Sequence, residues 1–235
     1  LAAGLCVVLA LPLGGSPRLA LPAAAERRGQ VAALRAWLAL PGSAVLVAFV
    51  LTFKLGDAAM GPMVRPFWVD RGLTVAEIGL ITNTLGVALT VAGALAGGWL
   101  TSRLGIVAAL FWLGLAQALS NLGYAAAALV DAGRAGIYAA SMLESFTGGL
   151  GTAAFLSLLM GACDRRQAAV QYAFLSALFG LTRSLAGALS GWATTELGYA
   201  AYFGLTFVLA LPAFALLPAL RQRLRAGAAA AVTAC

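Results

Sequence analysis

Apolar residues run along this chain in blocks too long for the core of a soluble domain, with polar residues separating them at short intervals. Six blocks, near 42–67, 76–100, 104–130, 135–162, 169–195 and 199–220, each reach the roughly 20 residues that a helix needs to cross a bilayer. Residues 1–13 are apolar but shorter, and read as the truncated end of a preceding transmembrane helix. Residues 14–41 form the longest polar connection, opened by Gly14, Gly15 and Pro17. Within it, Arg28 and Arg35 share a stripe beside Val31, Leu34 and Leu38, the pattern of a helix lying in the membrane interface. Residues 221–235 read as a tail. The predicted class is an all-α membrane protein, six helices whose short connections make sequential helices neighbours and whose backbone bonds close within each helix.

Composition sharpens that reading. Only 10% of the residues are charged and 62% are hydrophobic, where a soluble domain carries about 25% charged residues. The formal charge of +7 does not gather into a patch, so a nucleic-acid partner is not expected. Topology explains it instead. With the 14–41 loop in the cytoplasm, the inner connections hold Arg18, Arg27, Arg28, Arg35, Arg103, Arg165, Arg166, Arg221, Arg223 and Arg225. The outer ones hold Arg71 and Arg134, with Arg65 near the outer end of its helix. This is the positive-inside bias, and it puts the C-terminus in the cytoplasm. The chain has no histidine, and Cys6, Cys163 and Cys235 share no ligand spacing. No metal, cofactor or His-dependent catalytic set is expected.

An internal repeat fits the same topology. Gly98-Trp-Leu-Thr-Ser-Arg-Leu-Gly105 returns 93 positions later as Gly191-Trp-Ala-Thr-Thr-Glu-Leu-Gly198. Each copy closes the second helix of a three-helix set, so the two fall on opposite membrane sides, as inverted three-plus-three repeats require.

Four ionisable residues interrupt the blocks: Lys54, Asp57, Glu144 and Arg183. At ~1.5 Å per residue, all four fall near the middle of a hydrocarbon core ~30 Å thick. Their charges sum to zero, so each has a possible counter-charge in a shared cavity. Lys54 and Asp57 share a helix face at i, i+3, and glycines and prolines at 56, 61, 62 and 66 weaken that helix. Glu144 shares its face with Ser141, Ser145 and Gly148. These four are the expected binding sites for solute and proton, with Asp57 and Glu144 the candidate proton carriers. A fixed set of ion pairs that only sets helix register is the structural alternative. Asn83, within the polar run Thr82-Asn83-Thr84, and Gln117, Asn121, Ser141 and Ser145 form a second tier of cavity candidates. Interhelical hydrogen bonding explains them equally well.

The ordered elements Lys54-Leu-Gly-Asp57, Arg65-Pro-Phe, Gly72-Leu-Thr-x-Ala-Glu-Ile-Gly79, Gln117-Ala-Leu-Ser-Asn121 and Glu144-Ser-Phe-Thr-Gly-Gly-Leu-Gly-Thr-Ala-Ala-Phe155 resemble the AmpG-type muropeptide permeases. That group lies within the major facilitator superfamily and is similar, more distantly, to acetyl-CoA transporters. The resemblance implies the C-terminal half of a two-half carrier in a bacterial inner membrane, with an N-terminal six-helix half as its partner. It also implies proton-driven import of GlcNAc-anhydromuramyl peptides, which serves cell-wall recycling and β-lactamase induction. Gly98, Ser102, Arg103 and Gly105 echo the superfamily's gating loop, but Ser102 stands where that motif has aspartate. Carriage of another anionic or acylated solute, or a non-transporting sensor or scaffold, is the alternative function.

Overall fold

Two helical stretches, around Pro62–Pro66 and Pro212–Pro218, carry proline inside them and still run on, as membrane helices can where neighbours take up the freed backbone groups. A computed structural model describes residues 24–164 and 167–233, with side chains over 29–164 and 167–225. The apolar run of residues 1–13, the start of the long loop, Arg165 and Arg166 and the last two residues lie outside the described residues. The described residues form α1 (Ala24–Leu38), α2 (Ser43–Phe53), α3 (Leu55–Asp70), α4 (Val75–Gly79), a π-helical turn (Leu80–Leu85), α5 (Gly86–Leu104), α6 (Ile106–Leu129), α7 (Gly133–Gly161) and α8 (Ala168–Thr233). No strand is present among them.

Among the described residues, five stretches are long and apolar enough to cross a membrane: Ser43–Asp70, Val75–Leu104, Ile106–Leu129, Gly133–Gly161 and Ala168–Arg225. The last has 58 residues, far more than the roughly 20 that one crossing uses. Gly198 divides it, with φ 74° and ψ 162°, into two spans of ordinary length. Residues 221–233 continue α8 as helix. Arg, Gln, Leu and Ala follow Leu220, and all of them propagate a helix well.

α5 packs chiefly on α7, while α8 packs on α2, α3 and α6. α6 touches both sets and joins them. The α5–α7 contact is close because glycines line it. A Cβ on Gly93 would stand 2.1 Å from the Phe146 carbonyl oxygen, and one on Gly149 would stand 2.3 Å from that of Thr90. Two apolar clusters fill the bundle. One gathers Phe49, Phe53, Phe155, Leu158 and Leu217, and the other Phe67, Trp68, Tyr124, Tyr202 and Phe203. On the span formed by α2 and α3, and on α6 and α7, the polar residues described below come between the segments that feed these two clusters.

The two repeat copies adopt the same local structure. Ser102 Oγ donates to the Trp99 carbonyl at 2.7 Å, and Thr195 Oγ1 donates to the Trp192 carbonyl at 2.7 Å. Thr101 bonds back to Gly97 as Thr194 does to Ser190. Gly105 (φ 80°, ψ 155°) ends the first copy in nearly the conformation that Gly198 gives the second. This region of backbone space is essentially confined to glycine and costs other residues about 1–3 kcal/mol. Gly105→Ala is therefore expected to destabilise by about that much, read as a lowered midpoint of thermal unfolding in detergent. Trp99 and Trp192 are both largely exposed, and Arg103 stacks on Trp99 with its guanidinium 5.5 Å from the ring centre.

The chain is sewn together near the turns. Thr74 and Glu77 close a reciprocal capping box at the start of α4, Arg134 pairs with Glu77 at 2.8 Å, and Arg71 pairs with Asp131. At the other end, Arg223 donates to Ser43 Oγ at 3.0 Å and lies over the Trp37 ring. Trp37 is buried, so α1 is anchored at its C-terminal end, while Val31 faces outward. The last span, 199–225, buries Tyr202, Phe203, Thr206, Ala213 and Leu220, so only its other face is free for lipid.

Candidate solute-binding site

The helix breaks at Lys54. Its backbone (φ −103°, ψ 10°) ends α2 and begins α3, about two turns before Pro62 and at the head of the segment that sequence alone marks as weak. Two contacts hold the break. Gly56 lies so close to the last span that a Cβ there would stand 2.4 Å from the Thr206 carbonyl oxygen. The Lys54 side chain, meanwhile, is drawn inward to residues of two other helices.

The ammonium of Lys54 has three protons to donate, and it meets three acceptors. They are Asp57 Oδ2 at 3.1 Å, Gln117 Oε1 at 2.7 Å and Thr152 Oγ1 at 3.0 Å. Gln117 Nε2 also donates to Asp57 Oδ2, which closes a ring of partners across α3, α6 and α7. Lys54 is 5% exposed, whereas the Asp57 side chain is 23% exposed. A buried cation thus has its full complement of bonds, and the carboxylate beside it keeps contact with the outside.

Glycines make the ring possible. A Cβ on Gly151 would fall 2.0 Å from Gln117 Oε1. Gly148 leaves room on the same face, where a Cβ would stand 3.6 Å from Glu144 Oε1 and 3.8 Å from Gln117 Nε2. Glu144 therefore borders the ring without bonding to it, and both Lys54 and Asp57 lie within Coulombic range of its carboxylate.

Glu144 opens instead onto a cavity of about 340 Å³. Arg65, Trp68, Thr82, Tyr124 and Ser145 line it as well. The π-helical turn shapes this wall. It brings Thr82 to the cavity and leaves Asn83 exposed, outside the lining. Such wide turns inside helices are frequent at functional sites.

The remaining candidates divide. Ser141 and Ser145 line the cavity, and Ser141 accepts a 2.8 Å bond from the Tyr124 hydroxyl. Asn121 is fully buried, and neither its oxygen nor its nitrogen has a partner among the described residues. Arg183 is exposed and makes no hydrogen bond or ion pair among the described residues. Gly187, one turn further on, approaches Pro62 of α3. Gly98, Ser102 and Arg103 are exposed near the α5–α6 turn, away from the ring and the cavity.

Thr152, Arg65 and Trp68 belong to the site and are not among the sequence candidates, whereas Thr82 enters there only as a neighbour of Asn83 in the polar run. Thr152 carried a usable signal, because it continues the stripe of Glu144 and Gly148 at four-residue spacing.

No protein-family model matches the chain. It is 34% identical over 195 residues, 83% of its length, to a protein of Escherichia coli (strain K12) named anhydromuropeptide permease. It is also 29% identical over 174 residues to the putative transporter AmpG 4 of Rickettsia felis, and 24% identical over 181 residues to that organism's putative transporter AmpG 1. The chain spans about two fifths of the length of the relatives it matches, 40% for the first. It is a multi-pass membrane protein, and over most of its own length it is similar to part of the AmpG-type permeases.

Proposed function

We propose that the chain is one six-helix half of a major facilitator carrier that imports muropeptides together with protons, in place of any catalytic role. It would sit in a bacterial inner membrane with its C-terminus in the cytoplasm, and an N-terminal half would complete the cavity. The observation that carries this reading is the neutral ring of Lys54, Asp57, Gln117 and Thr152 inside the bundle, with Glu144 beside it on an open cavity. Ionisable residues within membrane spans are costly, and they mark solute and ion pathways. The names of the relatives supply the solute class.

The matching local structure at Gly105 and Gly198 supports a repeat of three helices, the architecture in which a site at the repeat interface opens alternately to either side. Asp57 and Glu144 have features a proton carrier needs: Glu144 lines the cavity, Asp57 is partly exposed, and the Lys54 cation is close to both. The Asp57 carboxylate is bonded to Lys54 and keeps part of its surface exposed.

The test is uptake of labelled anhydromuropeptide into vesicles that hold the complete protein, driven by an imposed pH gradient. Asp57→Asn and Glu144→Gln are each expected to lower gradient-driven uptake at least tenfold, with unchanged protein in the membrane. Full uptake in both variants would remove these carboxylates from the mechanism.

A further inference from the structure

Within the carrier reading above, one buried cation stands beside two carboxylates, Asp57 and Glu144, and does not serve both alike. Lys54 spends its three protons on Asp57, Gln117 and Thr152, so none is left for Glu144. Gln117 fixes that choice, because its amide offers a different end to each charge. Its Oε1 accepts from the Lys54 ammonium at 2.7 Å, and its Nε2 donates to Asp57 Oδ2. The reverse orientation would set an oxygen against a carboxylate and an NH2 group against an ammonium, so the partners allow only this one. Gln117 is buried, and the bare backbone of Gly151 lies against its Oε1.

Glu144 meets the ring across a gap. Around the point where a Cβ on Gly148 would stand, Glu144 Oε1 lies at 3.6 Å and Gln117 Nε2 at 3.8 Å, and no atom of Lys54 comes within 4 Å. The ring group that borders this gap is thus an amide nitrogen already committed to Asp57, and not the ammonium. We propose that Gln117 is a positioning residue that holds Lys54 on Asp57, so that Asp57 stays the fixed anion and Glu144 receives the coupling proton.

Charge balance gives the division its force. Two ionised carboxylates beside one ammonium leave a negative charge without a counter-charge inside the bundle, which is costly there. A proton that the Glu144 carboxylate takes up from the cavity side makes the set neutral, and its release restores the charge. The groups facing Glu144 are few. The first span supplies Lys54, Asp57 and Arg65, and α6 supplies Tyr124. From α5, the π-helical turn and α8, no charged or titratable group reaches the cavity lining. Arg65 lines the cavity but is exposed and forms no ion pair among the described residues. Tyr124 gives its hydroxyl proton to Ser141. The placement of Lys54 therefore decides where the proton goes, and Gln117 decides the placement of Lys54.

Dicyclohexylcarbodiimide, which labels protonated carboxyl groups in apolar surroundings, tests this on the complete protein in membranes at pH 7, with labelled peptides measured by mass spectrometry. Both carboxyls are within its reach, Asp57 through its exposed part and Glu144 through the cavity, so unequal labelling reports the proton and not access. Glu144 is expected to be labelled at least tenfold more than Asp57. Gln117→Met keeps the bulk and removes both bonds. Lys54 is then free to pair with Glu144, an ion pair takes the place of the proton, and the ratio of Glu144 to Asp57 labelling should fall at least fivefold. A role for Gln117 in packing alone would leave that ratio unchanged. Asp57→Asn leaves Glu144 as the carboxylate open to Lys54, and labelling of Glu144 should again fall at least fivefold. Equal labelling of the two carboxyls, or no labelling of Glu144, overturns the assignment of the proton, and an unchanged ratio in Gln117→Met overturns the role of Gln117. If Gln117→Met fails to reach the membrane, Asp57→Asn decides, and undiminished Glu144 labelling there overturns the proposal. The carrier reading is judged separately by uptake of the whole muropeptide, and it survives if Asp57 proves to hold the proton instead.

Discussion

Lys54→Met is expected to destabilise the fold by about 3–5 kcal/mol, the usual cost of removing one partner from a buried charge pair. The substitution keeps most of the side-chain bulk and removes three hydrogen bonds at once. Asp57 Oδ2, Gln117 Oε1 and Thr152 Oγ1, on three helices, would each lose the same donor. Asp57 would then be a carboxylate inside the bundle with only the Gln117 amide to bond it. Adding Asp57→Leu should recover part of the loss, because the stranded charge is gone and Gln117 can turn to Thr152. The double variant should therefore be at least 1 kcal/mol more stable than the sum of the two single losses implies, as expected for residues in one network. Denaturant-induced unfolding of the four proteins in the same detergent measures this. Simple additivity would mean that the ring holds no energy as a unit.

The second large effect lies where no charge is involved. Gly93→Ala would set a methyl group 2.1 Å from the Phe146 carbonyl oxygen, and Gly149→Ala would set one 2.3 Å from that of Thr90. Both obstacles are backbone, which cannot rotate away as the end of a long side chain could. Helices α5 and α7 would have to separate, and overpacking of this kind costs about 1–3 kcal/mol. Since packing of small residues is a main attraction between helices in a bilayer, the pair should also alter the cavity that α5 and α7 wall together. Gly98→Ala is the control: it lies on the same helix with nothing within 4 Å of a new Cβ, and there alanine should stabilise by roughly 0.5–1 kcal/mol. Melting curves that place Gly93→Ala and Gly98→Ala together would contradict the close packing.

Much of the architecture is legible in the apolar blocks. Their lengths mark the spans, and the Gly98 and Gly191 motifs mark two helix ends that share one backbone conformation. The Lys54–Asp57 pair is also readable, because i, i+3 spacing places both groups on one face of any helix. The weakness of the helix around Lys54 is legible too, in Gly56, Gly61, Pro62 and Pro66, but its point of interruption depends on Gln117 and Thr152 drawing the side chain inward from other helices. Tertiary contacts of that kind leave no trace in local spacing.

Arg183 shows a different limit. Counting residues from a helix end fixes height but not the direction a side chain takes around the axis. Arg183 shares the mid-membrane height of the other three in that count, yet it is exposed and unbonded within the described residues. Thr82 and Asn83 reverse roles for a related reason. A π-helical turn changes the angle between successive side chains, and periodicity at 3.6 residues cannot anticipate which of two neighbours faces inward.

The central claim is that solute and proton pass through one site. It is tested most directly by adding unlabelled anhydromuropeptide to lightly buffered vesicles containing the complete protein, with no imposed gradient, while a pH-sensitive dye follows the outer medium. Solute entry should remove protons from that medium and raise its pH, and Glu144→Gln should abolish the rise. Solute uptake with no change in pH, or a pH rise that Glu144→Gln leaves intact, would contradict it.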